Sequence, residues 1–228
     1  VVIDLRGDLR HILAFCALSG APERVGTDRT GGRALLTRCW PFDGSLHEVE
    51  KAMAIVATLG VRRAGRPTLT PPASVRAELT SALHAAAGPG GKWLVLAPWG
   101  SQPDKSCSPQ QIVALALRAA AAGLCVALVG SGADRARAEQ VRALLGDAAP
   151  RVADLTGRTT VAELAWVLAN AAGAICADSG PSHVAAAVGT PVVVLFGPTD
   201  PAQFRPWGGE VTVVATEPRG APVGTLDV

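Results

Sequence analysis

A chain of 228 residues, 49% apolar and 18% charged, is long and apolar enough to bury a core, which excludes a disordered segment. A net charge of +2, with no dense basic patch interleaved with aromatics, argues against a nucleic-acid-binding role. No apolar run reaches the roughly 18 residues that a membrane span needs.

In chain order, Val1-Val2-Ile3 reads as a strand already in progress, passing through Arg6-Gly7-Asp8 into a helical pattern. Such a start is expected of a fragment, as is an end at PRGAPVGTLDV, where a further element would begin. Residues 45–59 carry Leu46, Val49, Met53, Val56 and Ala57 at helical spacing. The stretch GVRRAGRPTLTPPASV, rich in Gly, Pro and Arg, predicts a linker near residues 60–75. The expected division is a partial first domain over 1–66, a linker over 67–75 and a complete second domain over 76–228.

Beyond the linker the pattern is regular. Helices are expected over 74–87, 109–122, 133–145, 160–172 and 182–188. Strands are expected at KWLVLAPW, CVALVG, RVADLTG, AICA, PVVVLFG and VTVVAT. Strands apolar throughout, alternating with helices, predict a parallel sheet covered on both faces. The fold class is therefore α/β, a doubly wound Rossmann-like sheet. The five cysteines (Cys16, Cys39, Cys107, Cys125 and Cys176) lack metal-ligand spacing, and three lie in apolar segments. Those three read as buried small residues, the set suits a reducing, cytoplasmic setting, and no metal or cofactor is expected.

In such a sheet ligands bind outside the carboxyl ends of the strands. The polar turns fall there: Trp99 to Lys105 after the first strand of the second domain, Ser131 to Asp134 after the next, and Asp178-Ser179-Gly180-Pro181-Ser182-His183 and Pro198-Thr199-Asp200 after later ones. A hydroxyl and a glycine at a helix start suit phosphate, and Lys105 adds a positive charge. Asp178 and Asp134 could accept hydrogen bonds from sugar hydroxyls. Each residue also has a plainer reading. Ser179 or Asp178 would cap a helix, His183 would be a core histidine satisfied by backbone, and Lys105 would be a solvated surface lysine.

The stretch DSGPSHVAAAVGTPVVVLFGPTDPAQFRPWG resembles the signature of the family 9 glycosyltransferases, the ADP-heptose:lipopolysaccharide heptosyltransferases. VVIDLRGDLRHILAFCALSGAPERVG, SLHEVEKAMAIVATLGV and LAPWGSQPDKSCSPQQIVALA resemble further family segments in the same order. The family's aromatic-proline pair after the lysine is replaced around Cys107-Ser108. The resemblance implies a GT-B fold of two Rossmann-like domains, the second binding the nucleotide-sugar donor and the first presenting the acceptor. It implies donor contacts at Gly100, Ser101, Lys105, Asp134 (near the ribose), Thr159 (against the base), Asp178, Ser179, Gly180 and His183. Acceptor contacts are implied at Arg10 and Arg33. The partners would be ADP-heptose, or a related nucleotide sugar, and the lipopolysaccharide core, the latter drawing the protein to the inner face of the cytoplasmic membrane.

The family's catalytic acid lies in an S.GD turn, expected upstream of Val1; Asp8 in RGDL imitates it at a position matching a later strand. This chain alone is therefore expected to keep a donor half-site with little transfer activity, because general-base catalysis is worth about 10²–10⁴-fold. The alternatives are a nucleotide-sugar-binding module without transfer chemistry and another GT-B enzyme such as a sugar-nucleotide epimerase.

Overall fold

The computed structural model describes residues 1–7, 10–62, 65–88 and 90–227, with side chains at all of these except Arg10 and residues 148–150. They form two compact units, Val1–Gly65 with Ala202–Phe204, and Arg66–Pro201 with Arg205–Val228.

The first unit holds a parallel sheet in spatial order β1 (Val2–Ile3), β2 (Arg24–Thr27), β3 (Arg38–Trp40). Helix α1 (Arg10–Leu18) joins β1 to β2, and α2 (Glu48–Ala57) follows β3. Leu13, Val25 and Ile55 are its fully buried centre. The helix expected over 45–59 starts later because His47 takes the cap. Its Nδ1 accepts from the Val49 amide at 3.1 Å, while the Glu50 carboxylate accepts from the His47 amide at 3.3 Å. This reciprocal pair satisfies two amides that the helix itself cannot. Ser45 stays in the preceding turn, its amide and hydroxyl both donating to Asp43.

The second unit begins with α3 (Ala77–Ala87) and continues β4 (Trp93–Ala97), α4 (Pro109–Ala121), β5 (Cys125–Leu128), α5 (Arg135–Leu145) and β6 (Val152–Asp154). Then come α6 (Val161–Ala169), β7 (Gly173–Ala177), α7 (Gly180–Val188), β8 (Val192–Phe196) and β9 (Val211–Ala215); the single turn α8 (Pro201–Phe204), which lies between β8 and β9 in the chain, belongs to the first unit from Ala202 onward. The six strands pair in parallel throughout, in the order β6-β5-β4-β7-β8-β9.

The side-chain period of two along each strand feeds two separate cores. Trp93, Val95 and Ala97 of β4 join Leu79 and Leu83 of α3, Val167 and Leu168 of α6 and Ala185 of α7. Leu96 of the same strand joins Ile112 and Ala116 of α4 and Val141 and Leu145 of α5. Helices on both faces are what strands without a polar side require. Burying each large aliphatic side chain contributes about 1.5–3 kcal/mol.

Helix limits follow from caps. Ser108 accepts from the Gln111 amide while Gln111 accepts from the Ser108 amide, with Pro109 in the first turn of α4. Thr160 and Glu163 make the same box at α6. That helix stops at Ala169 instead of reaching 172, since the Ala172 amide already bonds the Trp93 carbonyl of the neighbouring strand. Helix α7 starts at Gly180, two residues earlier than expected, and ends on Gly189 at φ +85°, the left-handed conformation that glycine adopts without strain.

Candidate functional site

From β4 the chain of the second unit winds outward through β5 to β6, then returns to the other side of β4 and winds through β7 and β8 to β9. The connections after β4 and β7 therefore leave in opposite directions, and a crevice opens between the carboxyl ends of these two strands. The residues placed there are Trp99 to Lys105 and Asp178 to His183.

The first of these loops is folded tightly on itself. The Gly100 amide donates to Ser106 Oγ at 3.2 Å, Ser106 Oγ donates to the Gln102 carbonyl at 3.2 Å, and the Cys107 amide donates to the Pro98 carbonyl at 2.9 Å. A Cβ at Gly100 would lie 2.5 Å from Lys105 Cβ, so the turn closes only around a residue without a side chain. Lys105 is thereby held facing β7. Its Nζ donates to Asp178 Oδ2 at 2.9 Å, with the lysine side chain 17% and the aspartate 8% exposed. The same oxygen accepts from Thr199 Oγ1, in the turn after β8, at 2.6 Å. Lys105 is thus no solvated surface lysine, and Asp178 is no helix cap.

Ser179 occupies the N-cap position of α7, but its hydroxyl makes no capping bond and instead donates to the Ala177 carbonyl at 3.3 Å. The first turn of α7 therefore presents its positive end without a side-chain cap. His183, in that turn, is exposed, which overturns the reading of a core histidine.

Beside this ion pair lies a cleft of about 390 Å³, lined among others by Trp99, Gly100, Ser101, Gly130, Ser131, Asp134, Thr159, Thr160, Ser179 and Pro181. It brings together Gly100, Ser101, Asp134, Thr159 and Ser179 of the expected donor residues; Lys105, Asp178, Gly180 and His183 are not on its wall. The Asp134 carboxylate closes its own turn, accepting from the Ser131 amide at 2.9 Å and from Ser131 Oγ at 2.6 Å. A methyl group at Gly130 would come within 2.6 Å of the Trp99 ring.

A larger cavity of about 610 Å³ shares Thr159 and Thr160 with this cleft and is lined further by Arg76, Glu78, Leu155 and Arg158. Arg76 clamps its wall. Its Nε donates to Glu163 Oε1 at 2.6 Å, and its Nη2 donates to Glu163 Oε2 at 3.1 Å and to the Arg158 carbonyl at 2.7 Å. The Arg76 guanidinium, with the Thr160 amide, holds the Glu163 carboxyl down to about 2. Neither Arg76 nor Thr199 was singled out from sequence. The signal available was a hydroxyl in the turn after an apolar strand; for Arg76 there was none.

Burial pushes the Cys107 and Cys176 thiols up to about 12, so at neutral pH neither is a nucleophile. Among the described residues no group of three or more His, Cys, Asp or Glu side chains could hold a metal ion, and no helix is long and apolar enough to cross a membrane. In the first unit Arg33 is exposed on a short 3-10 turn, Arg33–Leu35. The Arg10 side chain and Asp8 lie outside the described residues.

The sequence model of glycosyltransferase family 9 (heptosyltransferase) matches residues 1–223. Lipopolysaccharide heptosyltransferase 3 of Escherichia coli is 32% identical over 182 residues, covering 78% of this chain and 52% of that protein. Lipopolysaccharide heptosyltransferase 1 of Pseudomonas aeruginosa is 31% identical over 215 residues, covering 91% and 57%. The chain thus spans about half the length of these curated relatives. The E. coli heptosyltransferase WaaC, solved with ADP, is similar at a TM-score of 0.70 and 21% identity, over 99% of this chain and 68% of that one. That likeness is one of fold.

Proposed function

The chain belongs to glycosyltransferase family 9, and from that premise we propose that its protein transfers a heptose from ADP-heptose to the inner core of lipopolysaccharide. The observation that carries the reading is the Lys105–Asp178 pair at the crevice between β4 and β7, with the uncapped start of α7 beside it. A diphosphate entering there meets a side-chain ammonium group and the backbone amides of a helix N-terminus, both of which favour an anion. Gly100, Ser101 and Ser179 line the adjoining cleft and would border the phosphates. Asp134 and Thr159, on the same cleft, would meet the ribose and the base. Asp178 would direct Lys105 and accept from the sugar.

The acceptor would be the phosphate- and acid-rich core of lipopolysaccharide, met by Arg10 and Arg33 of the first unit. The protein would work in the cytoplasm, at the inner face of the membrane where a lipid-anchored acceptor is displayed. A general base would take the proton from the acceptor hydroxyl as the sugar leaves the diphosphate.

Calorimetric titration of the folded chain with ADP and with ADP-heptose tests the donor half. Saturable heat from both, tighter for ADP-heptose, is expected. No binding of either ligand would remove the donor site. A transfer assay on the full-length protein with ADP-heptose and a heptose-deficient core acceptor tests the reaction, and absence of a heptosylated product would overturn it.

A further inference from the structure

We propose that Thr199 is a positioning residue of the donor site, acting on Lys105 through the Asp178 carboxylate. The inference rests on the donor reading above for its binding consequence, but its geometry stands apart from it. Three turns, after β4, β7 and β8, meet at one oxygen: Asp178 Oδ2 accepts from Lys105 Nζ at 2.9 Å and from Thr199 Oγ1 at 2.6 Å. Lys105 and Asp178 are 73 positions apart, and Asp178 and Thr199 are 21 apart, so no local turn geometry brings them together.

A carboxylate rotates readily about its Cβ–Cγ bond, since that torsion is broad. A lysine ammonium, a point charge on a four-carbon stem, cannot fix that rotation. The Thr199 hydroxyl can, because it donates along one direction from a turn anchored to β8. Asp178 is itself tied to the same strand, its amide donating to the Leu195 carbonyl of β8 at 3.2 Å. With Oδ2 held in place, Lys105 is presented to the crevice in one arrangement. An incoming phosphate then meets a preorganised ammonium, and less ordering remains to be done on binding. Thr199 contacts no reacting atom in this scheme. It acts through two other side chains.

The test uses the full chain and two substitutions, Thr199→Val, which keeps the shape without the hydroxyl, and Thr199→Ser, which keeps the hydroxyl. Thr199→Val is expected to weaken ADP binding about tenfold, the effect of one hydrogen bond to a charged group, and Thr199→Ser to stay near wild type. In a Lys105→Ala background the Thr199→Val change should cost nothing further, since the group it positions is gone. An equal tenfold loss in both backgrounds, or no loss in either, would overturn the inference. A second measurement needs no ligand. Acetylation of Lys105 by acetic anhydride, followed by mass spectrometry against the exposed Lys92 as internal standard, should run faster in Thr199→Val than in wild type and Thr199→Ser. An unchanged rate overturns the positioning role. If wild type binds no ADP, the donor reading falls, and the acetylation rate alone then decides for or against Thr199.

Discussion

Lys105 and Asp178 are each other's counter-ion in surroundings that keep most water away, so each substitution has two consequences that must be separated. Lys105→Ala removes a charge-assisted contact to phosphate worth about 1.5–3 kcal/mol, roughly tenfold to more than a hundredfold in ADP affinity. It also leaves a buried carboxylate that still accepts from Thr199 but has lost its counter-ion, so the melting temperature should fall as well. Titration and thermal melts on the same preparation distinguish the two, and unchanged ADP affinity would remove the lysine from the site. Asp178→Asn keeps the shape and the bond from Thr199 but loses the charge that directs Lys105. ADP is expected to weaken, and ADP-heptose to weaken more, because a sugar hydroxyl loses its anionic acceptor. The ratio of the two affinities, wild type against variant, is the quantity to measure. An equal loss for both ligands would confine Asp178 to holding the lysine.

At the scale of elements, the clamp between α3 and α6 couples helix capping to the wall of the larger cavity. Glu163 serves three partners at once, Arg76, the Thr160 amide and the Thr160 hydroxyl. Its carboxyl is held down to about 2 from an ordinary 4.5. A folded-state value below the unfolded one means stability that is fully present above about pH 4.5 and lost as the pH falls toward 2. Because the Arg76 side chain is 59% exposed, solvent screens part of this, and Glu163→Gln is expected to cost only about 1 kcal/mol at neutral pH. The diagnostic is the slope: melting temperatures measured from pH 5 to 2 should fall less steeply in Glu163→Gln than in wild type. Parallel curves would mean that the clamp contributes nothing. Such contacts also mark where reading from sequence ends. β4, β5, β7 and β8 are legible because strands buried on both faces are apolar at nearly every position. β2 (RVGT) and β3 (RCW) are not, since four and three residues with polar members become strands only through pairing with each other. Lys105, Asp178 and the loops that carry them could be placed at one sheet edge from topology. Thr199 could not be chosen from among the turn's polar residues, because its role depends on a rotamer of a residue in another loop.

For the whole molecule, the division into two units places no helix or strand between α2 and α3, over 58–76 among the described residues. Limited proteolysis is accordingly expected to cut first between Gly60 and Ser74, leaving a resistant fragment that contains the six-stranded sheet; early cuts inside residues 91–198 would contradict this. The order of that sheet also governs when the site can exist. Leu94 pairs with Gly173, 79 positions along the chain, whereas Trp93 pairs with Cys125 only 32 positions on. Closing the longer loop costs about 0.8 kcal/mol more in chain entropy, and contacts of this separation form late. Lys105 and Asp178 sit at the ends of this costlier pair of strands. A refolding chain can therefore build β4, β5 and β6 with their helices and still lack the crevice between β4 and β7. ADP binding should recover with the slowest refolding phase, and a fluorescent ADP analogue followed in stopped flow alongside far-UV circular dichroism would show it lagging the secondary structure. Ligand capture then reports completion of the sheet, and any ligand that binds the finished fold alone would draw the folding equilibrium toward it.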